Sequence, residues 1–519
     1  MTVLKRAAAF VALFLFAGTA AVAQDVALTS RDGKVELIGT LLGFDGEFYR
    51  VQTEYGELTV DGSGVICAGP GCPNLQDFVA EVQLSGSATM GAVLMPALIN
   101  AFAARNDYTV SREDLSQTQF DLLLTQNDTK KLTARFSFRA TNSDEGFADL
   151  LADEADIVMA LREIRKEERI NAREAGMGDL TGANRSRVLA LDAVVPVVSP
   201  SNPIKGISPV LLAQAFAGQI TNWSDLGGPN APIDLHLASI SSGLTQAIAD
   251  QVMTPAELTF AENITRHALP EQLAEAVAKD TFALGITSYA EQKNTQVLTL
   301  SGSCGFALNA GRRTIKTEDY PLTAPMFLYF PARRLPLIAR EFLAFTRGAG
   351  AQNVIRRAGF VDQSPEEINI DAQGNRFANA ITMAGPETTL EELQRMTATL
   401  TPMARLTTSF RFEAGSIRLD AQSRSNVQQL ARALEQGTYD ARQMLFVGFS
   451  DGNGAAKANR NIALRRSEAV LRAVRAAAVT ANLERVDLGV DAFGEALPMA
   501  CDDSAWGRQA NRRVEVWVR

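Results

Sequence analysis

The alternation of apolar and polar positions divides the chain into sections with different periods. Between residues 25 and 66 the period is two. Val35-Glu36-Leu37, Phe48 to Val51 and Leu58-Thr59-Val60 are set off by Asp32-Gly33, Asp45-Gly46 and Tyr55-Gly56. Alternation broken by such pairs predicts hairpins, and so a small β meander with little stability of its own. From about residue 80, short apolar strands alternate with stretches of helical period. Val82-Gln83-Leu84 runs into a Ser85-Gly86-Ser87-Ala88-Thr89 turn, then into Met90, Val93, Leu94, Ala97, Leu98 and Phe102 on one stripe. That order predicts an α/β layout, and a strand, a Gly/Ser turn and a helix start together aim N–H groups where an anion could sit. Residues 363–404 are polar, with a turn at Asp371 to Gly374 and a helical stretch from Leu390 to Met396, which reads as a linker or a docking helix. Beyond residue 405 an apolar strand, Met444 to Val447, passes through Gly448-Phe449-Ser450-Asp451-Gly452-Asn453-Gly454 into a helix. Ile462, Arg466, Val470 and Val474 are four apart and share one side of it. An arginine in an apolar stripe needs a partner or a route to solvent, and Asp451 across the loop is the candidate.

Length, charge and the first residues narrow the class. A chain of 519 residues implies about three domains. The net charge of −9 is unevenly spread, because residues 405–519 carry 17 Lys and Arg against 13 Asp and Glu. No basic stripe with interleaved aromatics accompanies it, so nucleic acid is not an expected partner. Lys5-Arg6, the apolar run Ala7 to Phe16 and Ala21-Val22-Ala23 predict a cleaved secretory signal peptide over residues 1–23. Gln24 stands where a lipoprotein would need cysteine, and no later run is apolar for eighteen residues. The expected location is therefore outside the cytoplasm, where the four cysteines face an oxidising space. Cys67 and Cys72 flank a short Gly/Pro loop suited to a local disulfide, and Cys304 and Cys501 remain, with three connectivities open to the four. Neither His236 nor His267 lies near a cysteine in sequence, so no metal site is expected.

The C-terminal motif resembles the OmpA-like peptidoglycan-binding domain. The likeness rests on Gly448-x-Ser450-Asp451, Asn459 eight residues on, and Ile462-Ala463-x-x-Arg466-Ser467-x-x-Val470. Flanking pieces are Phe410-Arg411-Phe412, Phe493-Gly494-Glu495 with Pro498, and Asn511-Arg512-Arg513-Val514-Glu515-Val516. It implies that Asp451 and Arg466, with Asn459 and Ser450 nearby, hold the diaminopimelate of a wall stem peptide. The chemistry suits such a ligand, because a zwitterionic amino-acid end offers an ammonium to a carboxylate and a carboxylate to a guanidinium fork.

The middle of the chain resembles the periplasmic phosphate-binding proteins, which have the type II solute-binding fold of two α/β lobes. The residues that carry this are the Ser85 to Thr89 turn, Asp156-Ile157-Val158-Met159-Ala160 with Arg162, Ser199 to Pro203, Ile220-Thr221-Asn222-Trp223-Ser224-Asp225-Leu226-Gly227-Gly228 and Tyr320-Pro321-Leu322. Ligand contacts are then expected from Ser87, Ala88, Thr89, Ser143, Arg162, Ser242 and Gly243. One departure bears on function. Where the family clamps phosphate with an Arg-Asp pair and a Ser-Gly-Thr turn, this chain has Ala238, Ser239 and Ser242-Gly243-Leu244. Loss of a guanidinium and a charged acceptor weakens oxyanion binding by several kcal/mol in rough terms.

Gly448-Phe449-Ser450-Asp451-Gly452 also fits a nucleophile elbow, but no histidine follows His267, so no catalytic residue is assigned and a non-enzyme is expected. No cofactor motif is present in the sequence. The expected fold is multidomain, α/β and α+β. It comprises a signal peptide (1–23), a small β domain (24–78), a type II solute-binding domain (79–362), a linker (363–404) and an OmpA-like α/β sandwich (405–519). The expected function is a periplasmic solute-binding-type protein for a small anion such as phosphate, anchored non-covalently to peptidoglycan and associated with the cell wall or outer membrane. The alternative is an envelope-organising protein whose central domain binds a protein partner and no solute.

Overall fold

The computed structural model describes residues 25–75, 77–182, 184–413 and 415–519. The expected signal peptide lies outside them. Two compact units divide the chain at Ala80 and Glu81.

In the first unit five strands form one antiparallel sheet. In spatial order they are Gly56–Asp61, Phe48–Thr53, Glu36–Phe44, Asp25–Ser30 and Val65–Ala68. The period-two alternation places Val26, Leu28, Tyr49 and Val51 in a small core. A disulfide joins Cys67 to Cys72 at the end of the last strand.

The second unit begins with a long sheet carried by one strand that serves two halves. Ser186–Val198 pairs antiparallel with Thr323–Tyr329 through Ala193, then with Ala283–Ser288 from Val194 onward. Every residue of this strand from Val188 to Val198 is buried, as expected of a strand covered on both faces. On one side of the handover lie Ala80–Ser87, Ile157–Ala160 and the antiparallel strands Leu132–Thr141, Gln119–Gln126 and Tyr108–Asp114. On the other lie Ala283–Ser288, Asp234–Ala238 and Thr265–His267. The result is the α/β layout expected from the alternation, in the two lobes that the resemblance implies.

The C-terminal sheet runs Glu367–Ile368, Ala404–Phe410, Arg513–Val518, Gln443–Phe449, Asp487–Gly494. The last two are parallel and connected by helix Ala456–Ala477, as the crossover of a parallel pair requires. Gly448 makes the helix–strand approach feasible: a Cβ there would lie 2.2 Å from the Ala463 carbonyl oxygen.

Residues 363–404, read as a linker or a docking helix, are no free linker: their helices pack onto the C-terminal sheet. Strand Gln443–Phe449 is apolar on both faces. Met444 and Phe446 face the helices Ala421–Glu435 and Ala456–Ala477, while Val447 and Phe449 face the other way. That second face is covered by the supposed linker, whose helices Gly374–Met383 and Leu390–Leu400 deliver Ala380, Leu393, Met396 and Leu400 to a core with Phe493, Leu497 and Trp517. The segment reads as polar because each helix is amphipathic and buries only one stripe.

The two-lobed region and the C-terminal sheet are joined by covalent and ionic contacts. A disulfide links Cys304 to Cys501, and Ser303 N–H donates to Asp503 at 2.7 Å. Lys316, buried, donates to Asp362 and Glu366 at 3.0 and 2.6 Å, and Glu366 N–H in turn donates to Thr407 at 2.9 Å. A second, buried charge cluster comprises Asp319, Arg376, Arg405, Arg513 and Glu515.

Candidate functional site

The loop after strand Gln443–Phe449 turns at Gly454, whose φ of +97° favours glycine, and enters helix Ala456–Ala477. Asp451, 9% exposed, does not pair with Arg466. Its Oδ2 accepts from Arg512 Nη1 at 2.6 Å, and its Oδ1 accepts from Asn453 N–H at 3.2 Å. The expected Asp451–Arg466 contact is corrected accordingly: Arg512, on the turn before the last strand, reaches the carboxylate first. Asp451 still acts on Arg466 at longer range.

Arg466 is 5% exposed and has no carboxylate partner among the described residues. Its guanidinium lies over the Phe412 ring at 5.1 Å and makes one long contact, 3.5 Å, to the Ser416 carbonyl oxygen. Its Nε is buried without a hydrogen bond, as is the hydroxyl of Ser450 one position before Asp451. Burial first, then the charge of Arg512, depresses the Arg466 pKa, and Asp451 opposes the shift. Asn459 is held by Glu495 at 2.8 Å and by the Gly454 carbonyl at 3.4 Å. Asp502 accepts from Gly452 N–H at 2.7 Å and so ties this loop to the segment that carries Cys501. A buried cation with unspent donors is a costly arrangement unless a ligand completes it.

Sequence reasoning missed Arg512, Glu495 and Asp502 as participants. The first two stood inside the motif pieces that carried the resemblance, but nothing in their spacing marked them as neighbours of Asp451.

The expected solute contacts meet around a leucine. Ser87, fully buried, accepts from Met90 N–H at 3.4 Å. Ser143 accepts from Leu161 N–H at 3.1 Å, and Ser242 caps helix Gly243–Ile248 by accepting from Thr245 N–H at 3.1 Å. A Cβ placed on Gly243 would lie 3.4 Å from Leu161 Cδ1 and 3.9 Å from Ser87 Oγ, so the buried Leu161 side chain stands beside both. Asn142 Nδ2 bridges the lobes to the Ser241 carbonyl at 3.1 Å. Thr89 is half-buried and makes no capping bond, and Ala88 is exposed. Arg162 is turned away from such a role. It donates to Glu168 at 2.6 and 2.9 Å and to Asp144, and lies over Phe147. Two carboxylates therefore already neutralise the one guanidinium expected here.

Among the described residues no group of three or more His, Cys, Asp or Glu could hold a metal ion, and no helix is long and apolar enough to cross a membrane.

A family model described as a PBP superfamily domain matches residues 73–347, just over half of the chain. The chain belongs to the PBP superfamily. A second model, the OmpA family, matches residues 411–512 of this PBP-superfamily protein. Protein SphX of Synechococcus elongatus is 28% identical over 233 residues, which is 42% of this chain and 65% of SphX. The phosphate-binding protein PstS of Bacillus subtilis is 25% identical over 189 residues, 36% of this chain and 61% of PstS. The chain thus spans less than two thirds of the length of these relatives. An ABC-type phosphate transport receptor from Vibrio cholerae, a solved structure, is 19% identical and covers 54% of this chain and 99% of its own, with a TM-score of 0.41.

Proposed function

We propose that this protein holds a binding-protein module at the bacterial cell wall, its OmpA domain gripping the diaminopimelate end of a peptidoglycan stem peptide without a covalent bond. The observation that carries this is Arg466, buried with no carboxylate partner among the described residues and with an unsatisfied Nε, within the field of Asp451. A ligand carboxylate supplies the missing acceptors and a ligand ammonium finds Asp451, with Ser450 and Asn459 at the same corner. The location that follows is the periplasm, after removal of residues 1–23. The test is sedimentation with purified peptidoglycan. Wild type is expected in the pellet, and Arg466→Ala and Asp451→Ala in the supernatant. Co-sedimentation of both variants at wild-type levels would overturn the reading.

For the module, the name of the PstS relative and the meeting of Ser87, Ser143 and Ser242 support capture of a small anion such as phosphate. Calorimetry with phosphate tests this, and absence of heat at millimolar ligand sinks it. A second reading is favoured by a specific observation. Leu161 stands beside Ser87 and Gly243, and Arg162 is neutralised by Asp144 and Glu168. On that reading the module binds an envelope protein and no solute, and a pull-down in which the partner survives a Ser242→Trp block separates the two.

A further inference from the structure

The matched PBP and OmpA regions enclose a cavity of about 390 Å³ between them, away from both corners described above. Arg187 and Arg347 reach it from the first region and Arg432 from helix Ala421–Glu435 of the second. None of the described residues lining it is an aspartate or glutamate, in a chain whose net charge is −9. Arg347 and Arg432 make no side-chain hydrogen bond or ion pair among the described residues. Arg187 spends only Nη1, on the Leu343 carbonyl and on Thr346 Oγ1 at 2.7 Å. A fourth arginine, Arg424, also lines the cavity but is paired with Glu163 at 2.8 Å.

The three guanidiniums feel one another. The Arg187 pKa is pushed down by burial first and then by Arg347 and Arg432, and that of Arg432 by burial and then Arg347. Glu435 is the one acid that acts on Arg432, and its Oε1 accepts from Thr480 N–H. Like charges gathered in a half-buried space are unfavourable for the empty protein. The rest of the lining is neutral: Ser186, Ser425 and Gln428 offer hydroxyl and amide groups, while Phe327, Val427 and Ala477 are apolar.

We propose that this cavity is a binding site for an organic oxyanion carrying at least two negative charges, a phosphate ester or a polycarboxylate, held by Arg187, Arg347 and Arg432. Planar guanidinium forks match either headgroup in two-point geometry, and the apolar wall accepts a small carbon body. Because the arginines come from both matched regions, the ligand braces one against the other. The site is independent of peptidoglycan binding and of the Ser87–Ser242 corner.

The test is calorimetry on the chain from Gln24 onward with glycerol 3-phosphate and with citrate, which separate the two headgroups, at fixed ionic strength. Heat from at least one is expected, with affinity lowered by about tenfold or more in Arg347→Gln and in Arg432→Gln. Both positions have solvent access, so the substitutions keep the fold. Removing one of three like charges is expected to leave the melting temperature of the ligand-free protein unchanged or raised while reducing its rise on adding ligand. Ser242→Ala and Arg466→Ala are expected to bind these probes as wild type does. No heat from either probe at millimolar concentration, or affinities unchanged in Arg347→Gln and Arg432→Gln, overturns the proposal. Loss of binding in Ser242→Ala alone would assign the heat to the solute corner and overturn it equally.

Discussion

Arg405 and Asp319 meet in a two-point ion pair, Nη1 to Oδ2 at 2.6 Å and Nη2 to Oδ1 at 3.0 Å, both side chains almost wholly out of solvent. Asp319 belongs to the PBP region and Arg405 to the first long strand of the C-terminal sheet, so the pair crosses the join. Burial acts to raise the Asp319 pKa, but the Arg405 guanidinium overrides it and holds the carboxylate below its ordinary range. Glu515 is depressed in the same way by Arg376, Arg405 and Arg513.

Removing one partner strands a buried charge. Asp319→Leu or Arg405→Met alone is expected to cost about 3–5 kcal/mol in urea unfolding, whereas the double variant, which leaves the net charge of the cluster unchanged, is expected to cost less than either. The sign of the pH effect follows from the depressed carboxylates: their contribution is present above the ordinary carboxylate range and is lost as pH falls through their lowered folded values. Wild type should therefore lose stability steeply in acid, and the double variant less so.

The Cys304–Cys501 bridge spans 197 residues and the Cys67–Cys72 bridge only 5. Constraint of the unfolded chain grows with the loop closed, so Cys304→Ser/Cys501→Ser is expected to lower stability by about 2–4 kcal/mol and Cys67→Ser/Cys72→Ser by less. Denaturant melts of the two double variants measure the difference. Equal losses would mean that strand packing near Cys67, not loop closure, sets the cost.

What the sequence announced and what it concealed follow from the range of the interactions. The Asp-Gly hairpins and the four-apart stripe of Ile462, Arg466, Val470 and Val474 are local patterns, and they stand in the structure as elements of those kinds; the strand-to-helix passage also stands, but without the expected Ser85 to Thr89 turn, because the strand runs on to Ser87 and helix follows directly. The helix at Gly374–Met383, and the surface that it and the expected helix at Leu390–Leu400 cover, were hidden because their apolar stripes are short and that face belongs to a strand some fifty residues away, Gln443–Phe449. Arg512 was hidden for a related reason: its reach to Asp451 spans 61 positions and depends on the antiparallel pairing of Gln443–Phe449 with Arg513–Val518. Arg162 was read as a ligand contact because it follows Asp156 to Ala160 in the series that carries the resemblance to the phosphate-binding proteins. Glu168, six residues later on the next helix, was the sequence-level sign that it was already engaged.

Glu318 gives a pH dependence of the opposite sign. Its backbone lies in the left-handed region, φ +56°, and its Oε1 is out of reach of solvent without a hydrogen bond. Burial, then the neighbouring charge of Asp420, pushes its pKa up to about 8 despite the opposing Arg411. A carboxyl with a raised folded pKa binds more protons in the folded state, so stability falls as pH rises from the ordinary carboxylate value to about 8 and is level beyond. Glu318→Gln is expected to be more stable than wild type at pH 8 by up to about 4 kcal/mol, with the gain vanishing near pH 4. Thermal melts of the two proteins across that range provide the measurement.

Arg512 is the residue through which the proposed wall-binding corner can be separated from a mere structural pair. It holds Asp451 at 2.6 Å and lowers the Arg466 pKa by its charge, so it acts on both halves of the proposed grip. If its task is only to brace the loop, Arg512→Gln, which retains a donor, should co-sediment with peptidoglycan as wild type does. If the corner binds a zwitterion, the substitution removes a positive charge that attracts the ligand carboxylate and releases the Asp451 carboxylate toward the ligand ammonium. Those effects act on opposite ends of the ligand. The carboxylate side is expected to dominate because Arg466 is buried and its attraction is poorly screened. Arg512→Gln is then expected to weaken retention by about tenfold, with a larger loss for Arg466→Ala, and the Arg512→Gln/Asp451→Asn pair should differ from the sum of its single effects. Additive effects in that cycle would place Arg512 outside the grip and leave Asp451 and Arg466 to act without it.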